Sequence, residues 1–419
     1  MLLYIDPGTG SMLFSILIGI VSTLVFFGRQ LFLKIKFILS GGKAEKISST
    51  KIPYVIFSDH KRYWNVFKPI CDEFEKRGVD LVYWTASSDD PALSEKYEHV
   101  KTEFIGEGNK AFARLNMMNA GICLSTTPGL DVYQWKRSKN VNWYVHIPHS
   151  LDEMMGYRMF GLDFYDAVLL TGDFQGEYIR RLEVMRGTKE KELVTVGYPP
   201  MDEQRKRLDL QKNINTNKIT SSEITVLVAP SWGKTAILSK FGADFLVALQ
   251  KTGFKIVIRP HPQTLVSEKQ MLDSLRDQFP DTENFRWNFD NDNFACMNDA
   301  SILITDFSGI IFDFAILFDR PIIYADTEYD SAPYDSAWFK NETLWRFEIL
   351  KKIGIKLVEN QFSNMRHVIE KAMNDSSLME GRDEVRKQAW MYPGESSGRI
   401  VDYLFEKNNF LINSKEFLK

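Results

Sequence analysis

The chain has 419 residues, too many for one ordinary hydrophobic core, so two domains are expected. Its 52 Lys and Arg against 55 Asp and Glu leave a net charge of -3, without the basic excess of a nucleic-acid-binding protein. Cys71, Cys123 and Cys296 lie scattered in apolar contexts and cannot all pair, which excludes a disulfide framework and fits a reduced cytoplasmic setting.

The first feature in chain order is an apolar N-terminus. Residues 7–28, a run of 22, carry no charge. As a helix they would span roughly 30 Å, one hydrocarbon core. Asp6 precedes the run, and Arg29, Lys34, Lys36, Lys43, Lys46 and Lys51 follow it. The positive-inside rule then predicts a single span with the main body in the cytoplasm. Ser11, Ser15, Gly19, Ser22 and Thr23 dilute the run, so an interfacial helix is the alternative. A polar linker over 41–50 follows.

Apolar runs at 54–57, 81–84, 122–124, 143–145, 167–170 and 193–196 read as strands. Helical patterns at 67–77, 111–119 and 174–183 fall between them. This alternation predicts a parallel, doubly wound domain. Residues 202–223 are polar and lack apolar periodicity, which marks the domain boundary. The pattern then restarts with strands at 224–228, 255–258, 285–289, 302–305 and 322–324. Helices are expected at 245–251, 268–277, 310–318, 362–373 and 397–405. The predicted organisation is an anchor and linker over 1–50 and two Rossmann-like domains over 51–205 and 220–419. Facing one cleft, these would make an α/β, GT-B-like fold.

Candidate site residues cluster at strand ends. Strand 302–305 runs into Asp306-Phe307-Ser308-Gly309 and then a helix, so the Ser308 hydroxyl and the free N–H groups at Gly309 suit a phosphate. A carboxylate would repel that phosphate, so Asp306 is expected to orient His261 or a ribose hydroxyl, or to cap the helix. Asp313 lies one helical turn beyond Gly309 and would support the site. Strand 255–258 leads into Arg259-Pro260-His261-Pro262, where two prolines stiffen the strand exit. Arg259 can fork two phosphate oxygens, and His261 can bond a phosphate or the leaving group. Lys234 could approach phosphate from the end of strand 224–228. After strand 143–145, His146 and His149 stand where open α/β sheets bind ligands, and either could take a proton from a hydroxyl. Gly106-Glu107-Gly108-Asn109-Lys110-Ala111 fits a dinucleotide fingerprint but not at the first strand-helix turn, so no cofactor is expected. The acidic runs Asp89-Asp90 and Asp290-Asn291-Asp292 read as solvated loops, and no metal site is assigned.

These motifs also carry a resemblance. Thr305-Asp306-Phe307-Ser308-Gly309 through Phe312-Asp313, with Arg320-Pro321-Ile322-Ile323-Tyr324, resembles the signature of the CDP-glycerol glycerophosphotransferases, the teichoic-acid primases and polymerases. Arg259-Pro260-His261-Pro262, Gly197-Tyr198-Pro199 and Ala229-Pro230-Ser231-Trp232 resemble further motifs of that family, in the same order. Two departures are Ser308-Gly309, where the family has Ser-Ser, and His149-Ser150, where it has His-Gly with a Lys soon after. The resemblance implies a GT-B transferase using CDP-glycerol, with His149 as the base and a lipid-linked acceptor at the membrane. The same fold could take a UDP- or CMP-sugar. A non-catalytic, membrane-tethered module is a third reading, against which both histidines argue.

Overall fold

The computed structural model describes residue 28 and residues 51–214, 224–290, 292–327, 329 and 331–416. The expected span lies outside these residues except for Gly28. Among the described residues, no helix is long and apolar enough to cross a membrane.

Two parallel sheets carry the fold, an α/β architecture of two Rossmann-like halves as the alternation predicts. The first contains β1 (Ile52–Ser58), β2 (Leu81–Thr85), β3 (Val100–Phe104), β4 (Ala120–Ser125), β5 (Val141–His146), β6 (Ala167–Leu170) and β7 (Glu192–Thr195). Their spatial order is β3-β2-β1-β4-β5-β6-β7. β4 and β6 are buried at every position because helices cover both faces. Helix α1 (Trp64–Lys76) turns Phe67, Ile70 and Phe74 to one face, and all three are buried. The sequence reading misses β3, whose Val-Lys-Thr-Glu-Phe buries only Val100, as an edge strand can.

The second sheet contains β8 (Thr225–Val228), β9 (Lys255–Ile258), β10 (Phe285–Trp287), β11 (Ile302–Thr305), β12 (Ile322–Ala325) and β13 (Gly354–Leu357). Its order, β10-β9-β8-β11-β12-β13, repeats the winding of the first. Winding reverses between β1 and β4 and again between β8 and β11, and such reversals open ligand crevices at strand C-termini. Val228 pairs with both Ile258 and Ile304. The chain segments carrying Ala229, Arg259 and Asp306 therefore leave one sheet edge together.

Three stretches differ from expectation. The polar boundary segment contains helix α2 (Pro199–Ile214). It packs through Met201 and Leu208 into the core and carries exposed pairs such as Arg205–Asp209 at 3.0 Å and Lys206–Glu203 at 2.7 Å. Its Asp202 is buried and accepts from Trp390 Nε1 at 2.9 Å and the Gly394 N–H at 2.8 Å. The helix expected over 310–318 is one α turn, Ile310–Phe312, followed by a π turn, Asp313–Leu317. The last helix, α3 (Ser396–Glu416), leaves the second sheet. Its Ile400, Val401 and Leu404 pack with Tyr54, Ile56 and Phe74 of the first.

The two halves are joined within one compact unit, Ile52–Lys419. Residues 331–349, after β12, dock on residues 150–165, after β5. Arg186 and Asp335, 3% and 1% exposed at their side chains, form an ion pair there, and Asp163 lies 2.6 Å from the same guanidinium. Arg346 joins this contact through Glu153, with 2.6 Å from Nε to the carboxylate.

Candidate active site

At the tip of β11, Asp306 is buried and both carboxylate oxygens are engaged. Oδ1 accepts from the Ser231 N–H at 2.8 Å and Oδ2 from the Ile237 N–H at 3.1 Å. Burial pushes this carboxyl above the usual range, and the backbone donors oppose the shift. Asp306 thus pins the loop after β8. Expected to orient His261 or a ribose hydroxyl or to cap the helix after β11, Asp306 instead spends both oxygens on backbone donors of the loop after β8. Its charge still favours the protonated form of His261.

His261 is half-buried. Its Nδ1 accepts from the Gln263 N–H at 3.1 Å, which leaves the proton of the neutral ring on Nε2. Burial lowers its pKa, Asp306 opposes, and Arg62 of the first half lowers it further. The exposed Trp232 ring lies 6.5 Å from it. Arg259 donates through Nη1 to Asn288 Oδ1 and through Nη2 to the Asp290 carbonyl, the latter at 2.7 Å. The fork expected to be free for phosphate is therefore partly committed to the loop after β10.

Ser308 and Gly309 open the turn after β11 and line a small cavity of about 10 Å³ with Phe307, Phe312 and Arg346. Gly309 has φ -62, which any residue adopts, so its value here is room: an added Cβ would meet nothing within 4 Å. Asp313, in the π turn, has its carboxyl pushed up to about 7 by burial. Its charge reaches Tyr198. Lys234 is exposed and lines a different cavity with Ser239, Ser267 and Glu268, so the structure does not bring it to Ser308 and Gly309.

The other wall comes from the first half. His146, the last residue of β5, is fully buried, with Nε2 3.1 Å from Tyr157 Oη. Burial holds its pKa well below the ordinary value, and the charge of His149 adds to this. His146 is therefore a buried core residue without access to a substrate, which corrects the expectation that it could take a proton from a hydroxyl. His149, three residues on, is only half-buried. Its Nδ1 lies 3.5 Å from the same Tyr157 hydroxyl, and its ring centroid is 4.9 Å from that of Tyr63. Tyr198, of the Gly-Tyr-Pro motif, donates to the His149 carbonyl at 2.8 Å. Gly197 beside it has φ +89, and a Cβ there would stand 2.5 Å from the Met391 carbonyl, so this turn requires glycine. Burial lowers the pKa of His149, Asp152 opposes, and Arg62 lowers it again.

The charge of Arg62 thus lowers the pKa of one histidine from each half. Burial favours the neutral ring in both histidines. Sequence reasoning did not single out Arg62, Tyr157, Glu153 or Arg346. No local motif marks them, because each matters through a partner distant in sequence. Among the described residues, no group of three or more His, Cys, Asp or Glu is arranged to hold a metal ion.

A family model described as CDP-Glycerol:Poly(glycerophosphate) glycerophosphotransferase matches residues 163–406. The chain belongs to this family. It is accordingly a transferase. The match contains Arg259, His261, Asp306, Ser308 and Gly309, whereas His149 and Arg62 precede it. No curated protein matches the chain. Among solved structures it is similar to the wall teichoic acid polymerase TagF, with 17% identity, a TM-score of 0.59, and coverage of 91% of this chain and 98% of that one. A histidine variant of TagF soaked with CDPG matches at 16% identity and TM-score 0.58, over 93% and 99% of the two chains. The UDP-GlcNAc 2-epimerase of Methanocaldococcus jannaschii matches at 13% identity and TM-score 0.51, over 85% and 100%. At these identities the glycerophosphotransferase shares a fold with all three.

Proposed function

We propose that this glycerophosphotransferase moves glycerol phosphate from CDP-glycerol to a hydroxyl of a lipid-linked glycan or polyol-phosphate chain, in synthesis of a cell-envelope polymer. What supports this reading is the placement of His149 after β5, of His261 after β9 and of the Ser308-Gly309 turn after β11, each beyond the C-terminal end of a strand, where such sheets bind ligands. His149 takes the proton of the acceptor hydroxyl. The acceptor oxygen attacks the phosphorus that bears glycerol, and a new O–P bond forms. The bond from that phosphorus to the bridging oxygen breaks, and its electron pair leaves with CMP. His261 donates its Nε2–H to the departing phosphate, whose developing charge the site must hold. The uncharged run 7–28 and the lysines after it support a membrane anchor that keeps the acceptor close, with the catalytic body in the cytoplasm.

The test uses the full chain in membranes with labelled CDP-glycerol. Label should enter lipid-linked product with release of CMP. His149→Ala should abolish this while nucleotide binding survives, because the donor is held mainly by the second half. His261→Ala should lower turnover and weaken donor binding together. Release of UDP from a UDP-sugar in place of CMP from CDP-glycerol would refute the donor.

A further inference from the structure

Transfer from a nucleoside diphosphate derivative places a pyrophosphate between the two halves, and this charge needs cations. Arg259, the cation expected from sequence, spends donors on Asn288 and Asp290. Lys234 lines a separate cavity. Arg320 donates to the carbonyls of Met297 and Asn298, at 3.1 and 2.6 Å, on the far side of β11. Arg346 is bound to Glu153. Arg62 differs from all of these. It follows β1, at the reversal of the first sheet, on the short 3-10 turn Lys61–Tyr63. Its side chain is exposed and makes no ion pair among the described residues. The turn is fixed from both sides. His60 caps it by accepting the Arg62 N–H at 3.1 Å, and Tyr63 packs its ring on His149. The Arg62 guanidinium lies 4.9 Å from the Tyr63 ring centroid.

We propose that Arg62 is a substrate-binding residue that holds the transferred phosphate from the acceptor side of the cleft. Resting on the function proposed above, this inference gives the first half a direct part in binding the donor. The guanidinium forks two non-bridging oxygens of the phosphorus under attack, and it keeps its protons throughout. Its position over Tyr63 sets it beside His149, the proton acceptor, and its charge also reaches His261, the donor to the leaving group. The cation then stands beside the bond that forms. Its planar fork suits this geometry better than an ammonium would.

The experiment compares Arg62→Ala and Arg62→Lys with wild type in the full chain, by three readouts. Single-turnover release of CMP from CDP-glycerol should fall about 100-fold or more in Arg62→Ala, and Arg62→Lys should recover only part of it. CMP affinity should stay within about twofold, since CMP lacks the phosphate that moves. By NMR, the ring titrations of His149 and His261 should both move to higher pH in Arg62→Ala. The other charges facing these rings, Asp59 and Asp152 at His149 and Asp306 at His261, are untouched. Turnover of Arg62→Ala within about threefold of wild type, or titrations that both stay in place, would overturn the inference. If wild type releases no CMP from CDP-glycerol, the donor reading fails by itself. Inorganic pyrophosphate then serves as the probe: weaker binding to Arg62→Ala upholds the role of Arg62, and equal binding refutes it.

Discussion

Glu153→Ala removes one member of the ion pair that joins the two halves. The Glu153 side chain is fully buried, and it accepts both the Arg346 backbone N–H at 3.1 Å and its Nε–H at 2.6 Å. Truncation leaves the Arg346 guanidinium, 13% exposed, with Asp152 at 3.3 Å as its remaining counter-charge. Breaking a buried pair from one side costs about 3–5 kcal/mol, because the surviving charge stays desolvated. Asp152 keeps part of the compensation, so about 3 kcal/mol is expected. Trp345 adjoins Arg346 and stacks on Phe174 of the first half with ring centroids 4.0 Å apart, so tryptophan fluorescence reports on this contact. Urea unfolding followed by that signal should show a lower midpoint in Glu153→Ala with little change in slope. Arg346 also lines the Ser308-Gly309 cavity, so donor affinity should fall as well. The double variant Glu153→Leu with Arg346→Met should regain much of the stability, because no lone charge remains. If Glu153→Ala loses less than about 1 kcal/mol, the pair does not join the halves as described.

Three further outcomes follow from the site. Since burial lowers the pKa of His149, the acid limb of the rate against pH should fall below the ordinary 6.5, with loss of rate as the base protonates; a limb above 6.5 would contradict its environment. His146 is buried neutral with its pKa depressed, so the unfolded chain binds the proton first. Stability should therefore drop as pH falls below about 6.5, and His146→Gln should flatten that part of the stability profile measured by urea. Asp313 has the opposite sign. Its carboxyl is raised to about 7, so the fold loses stability as pH rises from the unfolded value near 4 towards 7; Asp313→Asn should be more stable than wild type at pH 8, by about 4 kcal/mol at most, and equal stability would show the carboxyl to be well solvated.

How far the sequence reaches can be judged from individual residues. Val226, Leu227 and Val228, or Ile302, Leu303 and Ile304, are apolar without alternation, and a strand buried on both faces needs nothing more to be recognised. Edge strand β3 buries one residue, and α2 buries Met201 and Leu208 while Leu210 is exposed, so neither leaves that pattern. The positions of His149, His261, Ser308 and Gly309 were legible because strand ends and turns are local properties of the chain. The partners of Arg259 and Asp306 were not. Asn288 is 29 residues from Arg259, and Ser231 is 75 from Asp306, so hydrogen bonds that commit these side chains to neighbouring loops have no local trace. His146 and His149 look equivalent as letters three apart. Only burial separates them: at the end of β5 the ring of His146 enters the core, where burial disfavours its charge, and three residues later the ring of His149 is partly open to solvent. Local chain chemistry thus determined the elements and the candidate residues. The tertiary structure decided which of them touch solvent and which are spent on the protein itself, because contacts between residues far apart in the chain and the desolvation they impose exist only after the halves have met.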